Sequence, residues 1–132
     1  TYKNIIARKA FTISVADAAH VVEADYVGIV SGNKVPDKLE RAGLHVTKSK
    51  FVDAPVIDEF PMTLECRLIS YAPESCHLFG EIVNVSAAAR ILPDGTIDVM
   101  KLAPITFDPV GNHYHVIGEK VGDAFREGAK LK

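Results

Sequence analysis

No apolar run in this 132-residue sequence approaches the roughly 20 residues that a membrane-spanning helix needs. A membrane partner is therefore not expected, and a cytoplasmic location is. Charge of one sign is also lacking: 15 Lys and Arg against 17 Asp and Glu give a formal net charge of -2. That balance carries no electrostatic footprint for nucleic acid, and the small cluster at Lys48 and Lys50 reads as a solvated strand edge. Cysteine is scarce. Cys66 and Cys76 read as two cytosolic thiols rather than as a cross-turn disulfide. No Gly-x-Gly-x-x-Gly follows a strand and no Walker-type loop exists, so any nicotinamide would have to bind without a Rossmann domain. A phosphate would have to be held by Ser, Thr, Lys or Arg side chains and by turn amides. Repeats and low-complexity tracts are absent as well. What remains, 48% hydrophobic and 24% charged, is ordinary for a globular chain, and residues 1–132 are expected to form one domain with a proper core.

The most distinctive stretch lies between Met62 and Val85. Residues 62–70 and 77–85 are rich in apolar and β-branched side chains and flank Pro73, Glu74 and Ser75, a pattern that predicts a β-hairpin. In the first run Met62, Leu64, Cys66 and Leu68 alternate with Thr63, Glu65 and Arg67, which predicts one buried and one wetter face. In the second run Leu78 and Ile82 face one way and Phe79, Val83 and Val85 the other, so both faces carry bulk that something else must cover. Gly80 leaves room there for a bulge, a bend or a close approach. His77 stands at the entrance of that strand.

Elsewhere, Thr1 is placed to cap a short helix carrying Ile5 and Ile6, and residues 10–15 read as a strand. Asp17 is a plausible N-cap for a helix with Val22, Tyr26 and Ile29 at helical spacing, ended by Gly32. Pro36 and Asp37 start a short helix with Lys38, Leu39 and Arg41. Residues 44–52 and 56–57 read as extended, and Asp98 caps a helix through Leu102. Phe107 and residues 114–117 read as extended pieces. Residues 118–128, with Val121, Ala124 and Phe125 at helical spacing, predict a terminal helix. The count of strands and helices predicts an α+β fold with a small, predominantly antiparallel barrel. The sequence opens on Thr1 inside a working element, so an N-terminal portion is expected ahead of it.

Three constellations carry groups capable of chemistry. His113 and His115 form an H-x-H pair that would face one way on a strand, a spacing that suits zinc. No third ligand is obvious nearby, and His20 and His45 lie in unrelated elements, so the pair reads as surface histidines and no metal site is assigned. Cys76 beside His77 lacks the separate base and oxyanion pocket that a nucleophile needs. Glu59, Glu65 and Glu81 read as solvent-facing or, for the hairpin pair, as partners of Arg67 rather than as an acid/base dyad. No catalytic residue is assigned.

The ordered segments are more specific than any one of them. Ala24-Asp25-Tyr26-Val27-Gly28-Ile29-Val30-Ser31-Gly32, Asp37-Lys38, Phe60-Pro61-Met62-Thr63-Leu64-Glu65-Cys66, His77-Leu78-Phe79-Gly80-Glu81-Ile82-Val83 and Gly118-Glu119-Lys120-Val121-Gly122-Asp123-Ala124-Phe125 follow one another in the chain. Together they resemble the flavin reductase family with the FMN-binding split-barrel fold, on its flavoredoxin branch. The resemblance covers essentially the whole chain. It implies an α+β fold, an antiparallel Greek-key split β-barrel with flanking helices, incomplete at the N-terminus. Residues 1–132 would be the C-terminal larger part of a single FMN-binding domain, working as a homodimer with FMN near the subunit interface.

The resemblance also implies roles. Thr1, with Asn4 beside it, would hold the FMN phosphate; Lys38 and His77 would lie near the flavin ring; Phe107 would supply an aromatic contact. Ser31 and Gly32, on the loop leading to Lys38, would be further contacts. A cation at Lys38 or a donor at His77 would stabilise the negative charge of the reduced ring at its N1–C2 edge and raise its potential. The implied activity is a flavin reductase in which NAD(P)H passes hydride to N5 of FMN and electrons go on to an acceptor, with a redox partner protein as a further expectation. The alternatives are a non-enzymatic FMN-binding electron carrier, or a truncated barrel that no longer binds flavin well. The family's first strands, with much of the phosphate and ring contacts, precede Thr1, and an incomplete barrel would expose strand edges that favour association.

Overall fold

In the computed structural model, which describes residues 1–132, the expected hairpin forms the centre of the fold. Its strands are β4 (Met62–Ala72) and β5 (His77–Ala87), each running slightly past its expected end. Cys76 closes the turn in the left-handed region, at φ 56°. Strand β1 (Ala10–Val15) pairs antiparallel with the other edge of β4, giving the order β1-β4-β5. The register sets Thr12 against Glu65 and Ser14 against Thr63 on one side, and Asn84 against Glu65 and Ser86 against Thr63 on the other. Paired residues share a face, so a ribbon of hydroxyls, an amide and a carboxylate crosses three strands.

The middle of that polar ribbon is interior, which corrects the expected alternation at Thr63 and Glu65, while Cys66 is buried and Arg67 exposed as expected. Thr63 and Glu65 are each 1% exposed, whereas Met62 and Leu64 are only half-buried. Glu65 therefore does not face solvent. A buried carboxylate is tolerated when it is fully hydrogen-bonded. Ser49, Asn84 and Ser86 all donate to Glu65, and the hydroxyls of Ser14 and Thr63 lie 3.0 Å apart. Glu81 behaves as expected, accepting from Arg67 at 2.8 Å.

Two bulges, one on each strand, break simple alternation along the hairpin. The partner of Glu65 is Asn84 but that of Cys66 is Ile82, so Val83 is an extra residue on β5; Ile69 is likewise extra on β4. Gly80 serves a close approach, since a Cβ there would lie 2.5 Å from Phe11 Cζ and 3.2 Å from the Arg67 carbonyl oxygen. Gly80→Ala is expected to push the Phe11 ring aside and destabilise the chain by about 1–3 kcal/mol. The urea midpoint reads this directly; an unchanged midpoint rules out the packing role.

The remaining elements are short. Helix α1 (Tyr2–Arg8) starts after Thr1 as expected and is held by Tyr2 stacking on Tyr71, with ring centroids 5.5 Å apart. Helix α2 (Val21–Ile29) follows a 3-10 turn at Ala18–His20. Asp17 makes no side-chain capping bond; its buried carboxylate instead meets His20 Nδ1 at 2.6 Å and an Arg90 nitrogen at 3.3 Å. Helix α3 (Lys38–Arg41) follows Asp37, and β2 (Val46–Lys48) pairs with β3 (Pro55–Ile57). Helix α4 (Val99–Leu102) is capped by Asp98, which accepts from the Met100 and Lys101 amides. Strands β6 (Ile105–Asp108) and β7 (His113–Val116) form a second small hairpin.

Two expectations need amendment. Residues 118–128 do not form a terminal helix; only a 3-10 turn at Glu127–Leu131 appears, and Val121 and Phe125 are fully exposed. A short helix interrupted by Gly118 and Gly122 has no apolar surface here to pack against, and propensity alone does not sustain it. The three antiparallel sheets also do not close on one another within this chain. Phe79, Ile82 and Val85 on β5 are about half exposed, so the cover their strand calls for is not supplied by the chain's other elements.

Candidate functional site

Thr1, Asn4, Ile5 and Arg8 recur at i, i+3, i+4 and i+7, the spacing of one helix face, and that face of α1 walls an open cleft of about 720 Å³. Ala10, Phe11 and Thr12 at the start of β1 form part of its lining. The end of α2 and the following loop contribute Val27, Gly28, Ser31 and Gly32, with Lys38 behind them, and residues 53–55 complete it. Thr1, Asn4, Ser31, Gly32 and Lys38, nominated from separate stretches of sequence, thus meet in one place.

His77 and Phe107 do not line this cleft. His77 lies at the turn end of the β4–β5 hairpin, opposite Ala72 and edge-on to Phe79. Phe107 lies in the β6–β7 hairpin, with its ring centroid 5.8 Å from that of Tyr114.

Local forces place the cleft residues. Thr1 caps α1 through its backbone, its carbonyl accepting from the Asn4 and Ile5 amides at 3.0 and 3.3 Å. Its hydroxyl makes no capping bond and is free to meet a ligand. Lys38 reaches back to the end of α2, where Nζ donates to the Val27 and Val30 carbonyls at 2.6 and 2.9 Å. Helix C-termini leave carbonyls unpaired at the negative end of the macrodipole, so a cation is favoured there. Two of the three ammonium donors are thereby used and one remains. Gly32 passes close to this side chain: a Cβ there would sit 3.8 Å from Lys38 Cε, an ordinary contact.

Arg8 and Asp53 are cleft residues that reading the sequence missed. Arg8 donates to Asp53 at 2.8 Å, and Lys48 lies 2.9 Å from the other carboxylate oxygen. Hydrogen bonds from Lys48 and Arg8 hold the Asp53 carboxyl below its usual range, and the bond to Asp53, with its charge, raises the Arg8 guanidinium. The 1-4-5-8 spacing along α1 was the signal that could have found Arg8. Asp53 had no such signal, because its position depends on how residues 49–54 fold onto the sheet.

The cleft combines the Lys38 cation, the Arg8 cation paired with the Asp53 carboxylate, a free hydroxyl, a second hydroxyl at Ser31, an amide at Asn4 and the Phe11 ring. This donor set suits an anionic ligand with a flat apolar part, and the volume falls within the range of about 300–1,000 Å³ typical of small-molecule sites.

Comparison with known proteins agrees with this chemistry. Residues 1–100 match the family model described as flavin reductase like domain. An uncharacterized protein of Aquifex aeolicus (strain VF5) is 30% identical over 122 residues, covering 88% of this chain and 59% of that protein. The chain therefore spans less than two thirds of that relative's length. Among solved structures, the flavoredoxin of Desulfovibrio vulgaris (Miyazaki F) is 39% identical with a TM-score of 0.88, over 96% of this chain and 69% of that one. A protein with a split barrel domain from Shewanella frigidimarina NCIMB 400 shares the fold, at 20% identity and a TM-score of 0.74, over 92% of this chain and 63% of that one.

Proposed function

We propose, from the premise that this chain belongs to the flavin reductase like domain family, that the cleft beside α1 holds FMN. The protein would then pass hydride or electrons from NAD(P)H through the flavin to an acceptor. The observation that carries this reading is the convergence of Thr1, Asn4, Ser31, Gly32 and Lys38 with Arg8 in one cleft. Arg8, the Thr1 hydroxyl and the Asn4 amide form a cation-plus-donor set suited to a terminal phosphate. Lys38 is assigned to the electron-rich edge of the ring, where its fixed charge stabilises the reduced form. Phe11 offers apolar surface for the flat part of the ligand, and Ser31 with Gly32 provides a narrow polar rim.

Bound FMN supplies the hydride-accepting chemistry; the residues of the chain bind it, orient it and place charge beside it. His77 and Phe107, outside the cleft of their own chain, are assigned to the flavin of a second copy in a homodimer. The half-exposed Ile82 and Val85, which share one face of β5 across the extra residue Val83, provide an apolar surface for such a contact. A redox partner protein and a cytoplasmic setting complete the proposal.

Titration of the chain into FMN is expected to quench flavin fluorescence to a one-to-one end point. Fluorescence that stays unquenched overturns the cleft assignment. Stopped-flow mixing of the FMN-loaded protein with NADH and with NADPH is expected to bleach the flavin's visible absorption with one of them. Likeness to a protein named flavoredoxin favours a second reading, an electron carrier without nicotinamide turnover. Flavin that binds but stays oxidised with both nicotinamides decides for the carrier.

A further inference from the structure

The β6–β7 hairpin carries a second constellation, apart from the cleft. His113 and His115 alternate along β7 and so share a face. The hairpin register places Asp108 directly opposite His113, which supplies the third group that no neighbouring sequence position offered. One nitrogen of each imidazole and one Asp108 oxygen all lie within 4.8 Å of one another. His115 Nε2 is 3.9 Å from Asp108 Oδ2, and the two imidazole rings stand at 72° with centroids 6.2 Å apart.

The tight turn between β6 and β7 holds the carboxylate in place. The Asp108 carboxylate accepts from the Val110 and Gly111 amides at 2.9 and 3.1 Å, which aims it across the turn. Asn112 completes the turn at φ 56°. A Cβ at Gly111 would lie 2.8 Å from Asp108 Oδ2 and collide with His113 Nδ1, so a side chain there would turn the His113 ring away from the carboxylate. Tyr114 packs beside Phe107 and donates from its hydroxyl to Asp25 at 2.7 Å, tying β7 to α2.

We propose that Asp108, His113 and His115 form a surface site for a divalent transition-metal ion of the zinc class, with water completing the coordination. Two imidazole nitrogens and one carboxylate oxygen are the donors that Zn²⁺ takes at about 2.0–2.2 Å. Oxygen-seeking Mg²⁺ and Ca²⁺ find only one suitable ligand here. Drawing the three ligand atoms around one ion requires only side-chain rotation of two exposed imidazoles toward a carboxylate already held in place. The ion would bridge β6 and β7 and lock the small hairpin. Asp17 with His20, and His45 with Glu59, each offer a single imidazole and make weaker rivals.

The test is calorimetric titration of the metal-stripped full chain with ZnCl₂, using MgCl₂ as the control. One equivalent of Zn²⁺ and no Mg²⁺ is expected to bind. His115→Ala and Asp108→Asn should each weaken binding by about tenfold or more, while His45→Ala and Cys76→Ser leave it unchanged. Imidazole proton resonances of His113 and His115 are expected to shift on Zn²⁺ addition. Absence of binding by the unaltered chain overturns the site. Unchanged affinity in both His115→Ala and Asp108→Asn overturns it too, as do shifts confined to His20 or His45.

Discussion

Glu65→Leu is expected to lower the stability of the chain by about 3–5 kcal/mol, because it strips the common acceptor from a buried polar network. Glu65 is 1% exposed and receives side-chain hydrogen bonds from Ser49, Asn84 and Ser86. Without it, three half-buried donors lose their common acceptor at the edge of the core. Each stranded group costs roughly 1–3 kcal/mol before any relaxation. The damage extends to the cleft, since Ser49 also accepts from the Phe51 and Val52 amides at 2.9 Å each. Those bonds organise the loop that carries Asp53 to Arg8. Glu65→Gln, which keeps the shape and one acceptor, should fall between the parent and the leucine variant.

The same carboxylate sets a pH dependence. Burial pushes Glu65 up, but the hydrogen bonds from Ser49, Ser86 and Asn84 together outweigh it and hold the group below the ordinary carboxylate range. Its folded value is thus depressed relative to the unfolded chain. The stability it contributes is fully present above the unfolded value, about 4.3 for glutamate, and is lost as pH falls through the lower folded value. Urea midpoints followed downward through that window should decline steeply in the parent and more gently in Glu65→Gln. Equal slopes in the two proteins would show that another carboxylate carries the acid sensitivity.

The second large effect concerns the ligand. Lys38→Met should weaken FMN binding by about 10- to 100-fold, the consequence of losing a charge-assisted contact worth roughly 1.5–3 kcal/mol. Methionine preserves much of the stem while removing the ammonium that spans the Val27 and Val30 carbonyls. The end of α2 then loses its cation, and the loop through Ser31 and Gly32 loses its anchor. Arg8→Ala should also weaken binding, though less, because Arg8 is 64% exposed and already shared with Asp53. The two cations separate by a second measurement. Lys38→Met is expected to lower the two-electron potential of the bound flavin by about 30 mV or more, since removing a positive charge destabilises the reduced ring. Arg8→Ala, assigned to the phosphate, should leave the potential in place. FMN affinity and potential both unchanged in Lys38→Met would remove Lys38 from the ring contact.

Much of the local structure could be read without coordinates. The β4–β5 hairpin, β1, the cap at Asp98 and the short helices at Thr1 and Asp37 rest on turn residues, alternation and capping chemistry, which act between near neighbours. Thr1, Asn4, Ser31, Gly32 and Lys38 could be nominated through a family resemblance, but in one set with His77 and Phe107, which lie outside the cleft. Arg8 was within reach of the helical spacing shared with Thr1, Asn4 and Ile5. Alternation in β4 correctly separated Thr63 and Glu65 from Met62 and Leu64 but not which group lies inside. That choice belongs to Ser49, Asn84 and Ser86, which arrive from other parts of the chain. The extra residues Val83 and Ile69 shift the register only once two strands are paired. The helical spacing of Val121, Ala124 and Phe125 described a surface for which the fold provides no partner.

By itself, then, the sequence determined where strands begin, where turns fall and which side chains travel together, because those choices depend on neighbours a few bonds away. Only the tertiary structure decided that Glu65 is buried and that Lys38 is held across the end of α2. It also decided that Asp108 stands opposite His113 and that Asp53 reaches Arg8. Each of these is a meeting of groups distant in the chain or turned toward one another by a register, and its energy exists only once the fold has brought them together.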